Sequence, residues 1–265
     1  MGNSHQALRA LECGQAFFRF RCYSCGRLTD IKVNCNLRLC PRCLIRRADS
    51  FVKRHEEPLA SMKDPKHLTL TFKTPNSLTP ELISTYNQNF ADLRRQPWWK
   101  EAVAGGVYSF ELTYNDPGWH PHFHALIDSA YIPQPFIKRA WRDITKGSHI
   151  VFIQKCDAQS GIYEVAKYMT KGSQFYQNHQ AVREYINSTK GRRLFATFGY
   201  FYAWDRAHPK EKPNHAREPP SRLLGTLPYG TPQIYECPKC HSDLITFEGK
   251  ITPETLVAPP VQIPF

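Results

Sequence analysis

Three histidines alternate with apolar residues in "GWHPHFHALI", residues 118–127: His120, His122 and His124. If this segment is a strand, residues two apart share a face, so the three imidazoles point together while Trp119, Phe123 and Ala125 turn into the core. The preceding segment "GGVYSFELTYN" (105–115) also reads as a strand, joined to the first by the turn "NDPG". A turn centred between Asp116 and Pro117 puts Glu111 opposite His122, about 5 Å away. Two or three imidazoles and a carboxylate then converge with coordination positions to spare. That donor set suits Mn²⁺, Mg²⁺ or Zn²⁺ and leaves room for substrate oxygens. Half-exposed strand histidines around a solvated acid would be the plainer alternative. Three in alternation facing an acid favour the metal.

A metal with open positions needs a nucleophile or a water. In "YEVAKYMTK", Glu164 and Tyr168 are four apart and Lys171 follows three later, so on a helix all three share a face. A tyrosine attacks phosphate when a metal polarises the phosphoryl oxygens and a cation shares the charge. Lys171 offers the cation, and Glu164 offers a base for a second nucleophile. Tyr163 lies off this face and reads as packing. Taken alone, the helix is as well explained by ordinary amphipathic packing.

The third chemical group is cysteine. Six of the nine cysteines lie in residues 13–43. Cys22–Cys25 and Cys40–Cys43 are CxxC knuckles fourteen residues apart, the spacing of a zinc ribbon whose intervening residues form a hairpin. Cys13 and Cys35 are further candidates. "CPKCH" adds Cys237 and Cys240 near the C-terminus; these take a second zinc with Cys13, Cys35 or His241, or the ligand sets mix. Thiolate sites need reduced cysteines, which predicts a cytoplasmic protein.

Composition divides the chain into residues 1–58, cysteine-rich and basic; 59–205, alternating strand and helix patterns; and 206–265, with 11 of the 21 prolines. "LIRRADSFVKRHEE" reads as a helix closing the first part. In the second, "HLTLTFKT" (67–74) and "SHIVFIQKC" read as strands. "PELISTYNQNFADLRRQPWW", "PQPFIKRAWRDITK", "HQAVREYINSTKG" and "SGIYEVAKYMTKGS" read as helices, the last with a Ser N-cap and a Gly stop. The fold class is α+β, with an antiparallel sheet and flanking helices. No run of eighteen apolar residues spans a membrane. A net charge of +12 points to a polyanionic partner, above all nucleic acid. Aromatics interleaved with arginines at 17–23 suit base stacking as well as core packing.

"LTLT", "HPHFHAL" and "EVAKYMTK", in this order, resemble the three motifs of HUH rolling-circle replication initiators of plasmids, in the group with Glu four residues before the catalytic Tyr. "CNLRLCPRCLIRRA" and "RRLFATFGYF" (192–201) also look like that family, so the resemblance covers roughly residues 13–202. It implies an RRM-like antiparallel sheet carrying the metal site, preceded here by the zinc-ribbon-like segment. The core is then an HUH endonuclease of residues 59–205. It implies that Tyr168 cuts one strand of origin DNA, keeps the 5′ phosphate and frees a 3′-OH for a polymerase. His122 and His124 match the strict His-hydrophobic-His element, Glu111 the acid on the adjacent strand, and Lys171 the lysine after the tyrosine; His120 is a further candidate ligand. The expected cofactors are Mn²⁺ or Mg²⁺ at the nuclease site and structural Zn²⁺. The expected partners are single-stranded and origin DNA, a host helicase and a polymerase, with no membrane. A single-tyrosine HUH transposase shares the same chemistry. A non-catalytic zinc-ribbon DNA-binding protein would share the charge and cysteines without it, and a small-substrate zinc hydrolase fits the basic charge poorly.

Overall fold

Alternation of large apolar residues with polar ones builds two separate antiparallel sheets in the computed structural model, which describes residues 11–115, 118–170, 177–209, 237–242 and 245–252. The described residues up to 43, with those from 237 onward, form one compact unit; 44–209 form the other. This division differs from the three-part compositional reading at both ends. "LIRRADSFVKRHEE" belongs to the larger unit, because Ala48, Phe51 and Val52 enter its core. The C-terminal CxxC and the strand after it belong with the N-terminal residues.

In the smaller unit, β1 (Phe17–Cys22) and β2 (Leu28–Lys32) form a hairpin, and β8 (Ile245–Ile251) pairs along the other edge of β1. The hairpin is not between the knuckles, as the spacing suggests. Its turn is the first knuckle itself, closed by Cys22 N–H to Arg27 O at 2.9 Å and by Gly26, whose φ of +69° a side chain would resist. Alternation along FFRFRC turns Phe18, Phe20 and Cys22 inward, so Phe18 and Phe20 serve packing rather than stacking on bases. With Ala16 and Val33 they form a small core edged by Ile31 and Ile245.

The larger unit holds a five-stranded sheet in the order β6-β3-β5-β4-β7, antiparallel throughout: β3 (Pro65–Thr71), β4 (Val103–Asn115), β5 (Gly118–Ser129), β6 (Val151–Lys155) and β7 (Phe195–Gly199). The turn residues Asp116 and Pro117 lie outside the described residues. Helix α1 (Pro41–Arg54) and the short α2 (Glu56–Ala60) precede the sheet. Helices α3 (Pro80–Arg95), α4 (Pro97–Ala102) and α5 (Gln134–Thr145) come next, between its strands, then α6 (Ala158–Thr170), α7 (His179–Thr189) and α8 (Tyr200–Ala207). The long helical pattern from Pro80 breaks at Gln96 because Pro97 cannot continue it and starts α4 instead.

The two sheet faces are chemically different. One is aromatic: Phe123 stacks between Phe90 of α3 at 4.6 Å and Phe110 at 4.5 Å, while Phe72 meets Trp141 of α5 at 4.9 Å. Burial of this kind, roughly 1.5–3 kcal/mol per large side chain, pins the sheet from behind. The other face carries Val107 and Leu126 at one end, packed under Ile162, Val165 and Ala166 of α6, and polar side chains at the other. Gly161 lets α6 come close, since a Cβ there would sit 2.6 Å from the buried Leu126 Cδ1. The N-cap of α6 is Asp157, which accepts from Ser160 N–H at 2.9 Å, and not Ser160 as the sequence suggests; Ser160 lies inside the first turn. The Gly stop falls outside the described residues.

Candidate active site

The polar end of that face is built by strand register. Glu111 pairs with His122, Ser109 with His124 and Thr113 with His120. Trp119, Phe123 and Ala125 are fully buried on the opposite face. Glu111 and His124 are both buried, and Glu111 Oε2 is 2.9 Å from His124 Nε2. On the other side β3 runs beside β5 with Thr69 against His124 and Thr71 against His122. Each histidine has a threonine at its Nδ1: Thr71 Oγ1 at 3.0 Å from His122, Thr69 Oγ1 at 3.4 Å from His124, and Thr74 Oγ1 at 3.1 Å from His120. For His122 and His120 an Nδ1–H donated to the hydroxyl leaves Nε2 with its lone pair, the tautomer a metal ligand needs, whereas His124 Nε2 meets Glu111 Oε2 as a hydrogen bond. The two threonines of "LTLT" thus meet His122 and His124 of the neighbouring strand β5.

Helix α6 crosses β4, β5 and β3 and lays its last described turn over these residues. The Tyr168 ring stacks on His124 at 3.3 Å between centroids and 5° between planes. Its hydroxyl donates to Glu164 Oε1 at 3.2 Å. Burial, with the neighbouring Glu164 charge, pushes the Tyr168 phenol up to about 12. Lys167 donates to Glu164 at 3.0 Å and, by that bond first, holds the carboxyl below the usual carboxylate range. Among the described residues, Lys167 is a cation beside Glu164; Lys171 lies outside them. Tyr163, read as packing, is 55% exposed.

His67 is a member of this face that sequence reasoning passed over. It precedes Thr69 and Thr71 in the same alternation, which was the available signal. Its ring lies near-parallel to both His124 (5.8 Å) and Tyr168 (6.5 Å). Burial, helped by His124, pushes its imidazole down to about 4, so it is neutral near pH 7.

One pair of these donors stands at the spacing of two ligands of one ion, whereas among the described residues only the cysteine groups bring three or more such atoms within 4.8 Å of one another. Two atoms each about 2.1 Å from one ion, at right angles, are about 3 Å apart; His124 Nε2 and Glu111 Oε2 are 2.9 Å apart. The His122 ring lies 6.0 Å from that of His124, and Thr71 fixes its Nδ1. Thr71→Val keeps the shape and removes the hydroxyl, so the Mn²⁺ concentration for half-maximal activity should rise roughly 10- to 100-fold. An unchanged metal titration would show that Thr71 does not orient His122.

The cysteines pair differently from the ribbon spacing. Cys40 and Cys43 join Cys13 and Cys35; Cys22 and Cys25 join Cys237 and Cys240; in each group the sulfurs lie within 4.8 Å of one another. The two adjacent knuckles do not share a site because β1 and β2 carry the first one away as a hairpin turn.

A protein-family model described as "Replication protein" (Rep_1) matches residues 27–219. No curated protein matches the chain. No solved structure matches it either. No helix among the described residues is long and apolar enough to cross a membrane.

Proposed function

From the premise that the chain belongs to the Rep_1 replication protein family, we propose that it initiates rolling-circle replication of a plasmid as a metal-dependent, tyrosine-nucleophile DNA nickase and strand transferase. One observation carries the reading. The Tyr168 ring lies on His124, whose Nε2 is 2.9 Å from Glu111, so a phenol and an imidazole–carboxylate pair lie together at one end of one sheet face, which supports a role for them in one reaction. His122, His124 and Glu111 would hold the ion, with His120 as a further candidate. A divalent cation bound there supplies positive charge to the oxygens of the scissile phosphate.

The chain's own residues do the rest. Tyr168 is protonated near pH 7, and its proton already points at Glu164 Oε1. As the phenolic oxygen attacks phosphorus, its proton passes to solvent water, the P–O3′ bond breaks and the 3′ oxygen takes up a proton from water. One phosphodiester is exchanged for another, so the tyrosyl ester can be reversed by a later 3′-OH. A covalent adduct between the protein and labelled single-stranded origin DNA with Mn²⁺, resistant to denaturation, tests the reading; its absence under all origin sequences and metals would overturn it.

Glu164 changes role once the ester forms. Its hydrogen bond from Tyr168 is one of the groups holding it low, and esterification removes that donor. Its side chain is 41% exposed, so water can enter. It then serves as base for a water that closes the reaction at a second phosphate. Glu164→Ala should leave the first nick within a few-fold of normal and slow water-dependent release by about 10²-fold or more, with linear multimers accumulating in a plasmid assay. If it blocks the first nick as fully as loss of Tyr168, Glu164 is a partner of the tyrosine instead.

A further inference from the structure

Cys22 and Cys25 sit in the turn of the N-terminal hairpin, and Cys237 and Cys240 come from the other end of the described chain. Cys22 Sγ lies 3.6 Å from Cys240 Sγ, and Cys25 Sγ lies 3.7 Å from Cys237 Sγ. Four sulfurs placed tetrahedrally at about 2.3 Å from zinc are about 3.8 Å apart. Sulfurs of a disulfide are about 2.05 Å apart, and all nine cysteines are free. Packing of thiols in a core does not explain the group either, since Cys240 is exposed and Cys25 half-buried. The surroundings are those of a ligand set: Lys239 N–H points at Cys237 Sγ at 3.5 Å, Cys237 N–H bonds Ser242 O at 2.8 Å, and the Ser24 and Ser242 hydroxyls meet at 2.7 Å.

Strand β8 is registered from the same point. Cys22 pairs with Ile245, and the ladder runs to Phe17 opposite Ile251. Arg21–Glu248 and Lys250–Glu12 ion pairs flank it. A two-stranded hairpin is marginal in water, and the core beneath this one is four buried residues. The third strand is therefore needed, and so is something to hold it.

We propose that Cys22, Cys25, Cys237 and Cys240 bind one zinc ion that ties β8 to the N-terminal hairpin, while Cys13, Cys35, Cys40 and Cys43 bind a second, less accessible zinc. In the second group the sulfurs of Cys13–Cys43, Cys35–Cys43 and Cys40–Cys13 are 3.4, 3.6 and 3.6 Å apart. Cys13, Cys35 and Cys43 are buried there, so a chelator reaches the tether ion first. Ligands from both ends of a chain make metal binding part of the folding free energy of the discontinuous unit.

Metal content is read without DNA, so the outcome is independent of the nuclease reading. The full chain should carry two zinc ions, and Cys237→Ser with Cys240→Ser should carry one. In the unmodified chain, EDTA should release zinc in two phases, with amide protection of residues 245–251 lost in the first and the helix beginning at Pro41 unaffected until the second. Two ions retained by the double variant, one or none in the full chain, a red iron-loaded preparation, or β8 still protected after the first ion leaves would each overturn the proposal.

Discussion

Tyr168→Phe should abolish the protein–DNA adduct and the first nick, with the protein still folded and still binding DNA. The reason is that substitution removes one atom and keeps the surface around it. The ring that stacks on His124 at 3.3 Å is retained. The lost bond to Glu164 is a partly exposed one, and its net contribution is about 1 kcal/mol. Without the phenolic oxygen, Tyr163 should not take over. Tyr163 is five residues earlier on the same helix, about 140° round its axis, and is exposed. Tyr163→Phe should therefore nick and form adduct as the unmodified chain does. Gel detection of the labelled adduct and peptide mapping of the modified residue give the answer. An adduct that persists in Tyr168→Phe, mapped to another side chain, would remove Tyr168 from the chemistry.

Much of this site is legible in the sequence because it rests on short-range periodicity. Period-two alternation marks β3, β4 and β5, and a short connection between β4 and β5 fixes their register. That is why spacing alone places Glu111 opposite His122. Helical spacing likewise puts Glu164 and Tyr168 on one face, and they are bonded there.

The features that sequence does not reveal depend on contacts that spacing cannot express. The cysteine partners are distant in the chain and chosen by strand pairing, so two neighbouring CxxC knuckles belong to different groups. Ser160 and Asp157 are both good caps; the tertiary start of α6 selects the earlier one. His67, Thr69 and Thr71 are ordinary strand residues until β3 is known to lie beside β5. Lys167, at i,i+3 from Glu164, is passed over by sequence reasoning and pairs with that carboxylate in the folded helix.

The second large effect falls on the donor set. His122→Ala should reduce cleavage by on the order of 10³ or more, while binding to single-stranded DNA changes little. Stabilising charge on a phosphate with a bound cation contributes several kcal/mol, and each 1.4 kcal/mol or so is tenfold in rate. Binding instead sums many Lys and Arg contacts to phosphate, which a chain of net charge +12 has in excess, and it should fall with salt equally in both proteins. His122 is the better first test than His124, because His124 also supports the Tyr168 ring and its removal disturbs that side chain directly. Glu111→Gln is the companion variant. It keeps the shape beside His124 and removes the negative charge, so cleavage should fall with the Mn²⁺ requirement raised. His120→Ala should be milder if Glu111 is the third ligand. Equal loss of binding and cleavage in His122→Ala and Glu111→Gln, with no change in Mn²⁺ dependence, would mean that these side chains hold the sheet together and that the cation sits elsewhere.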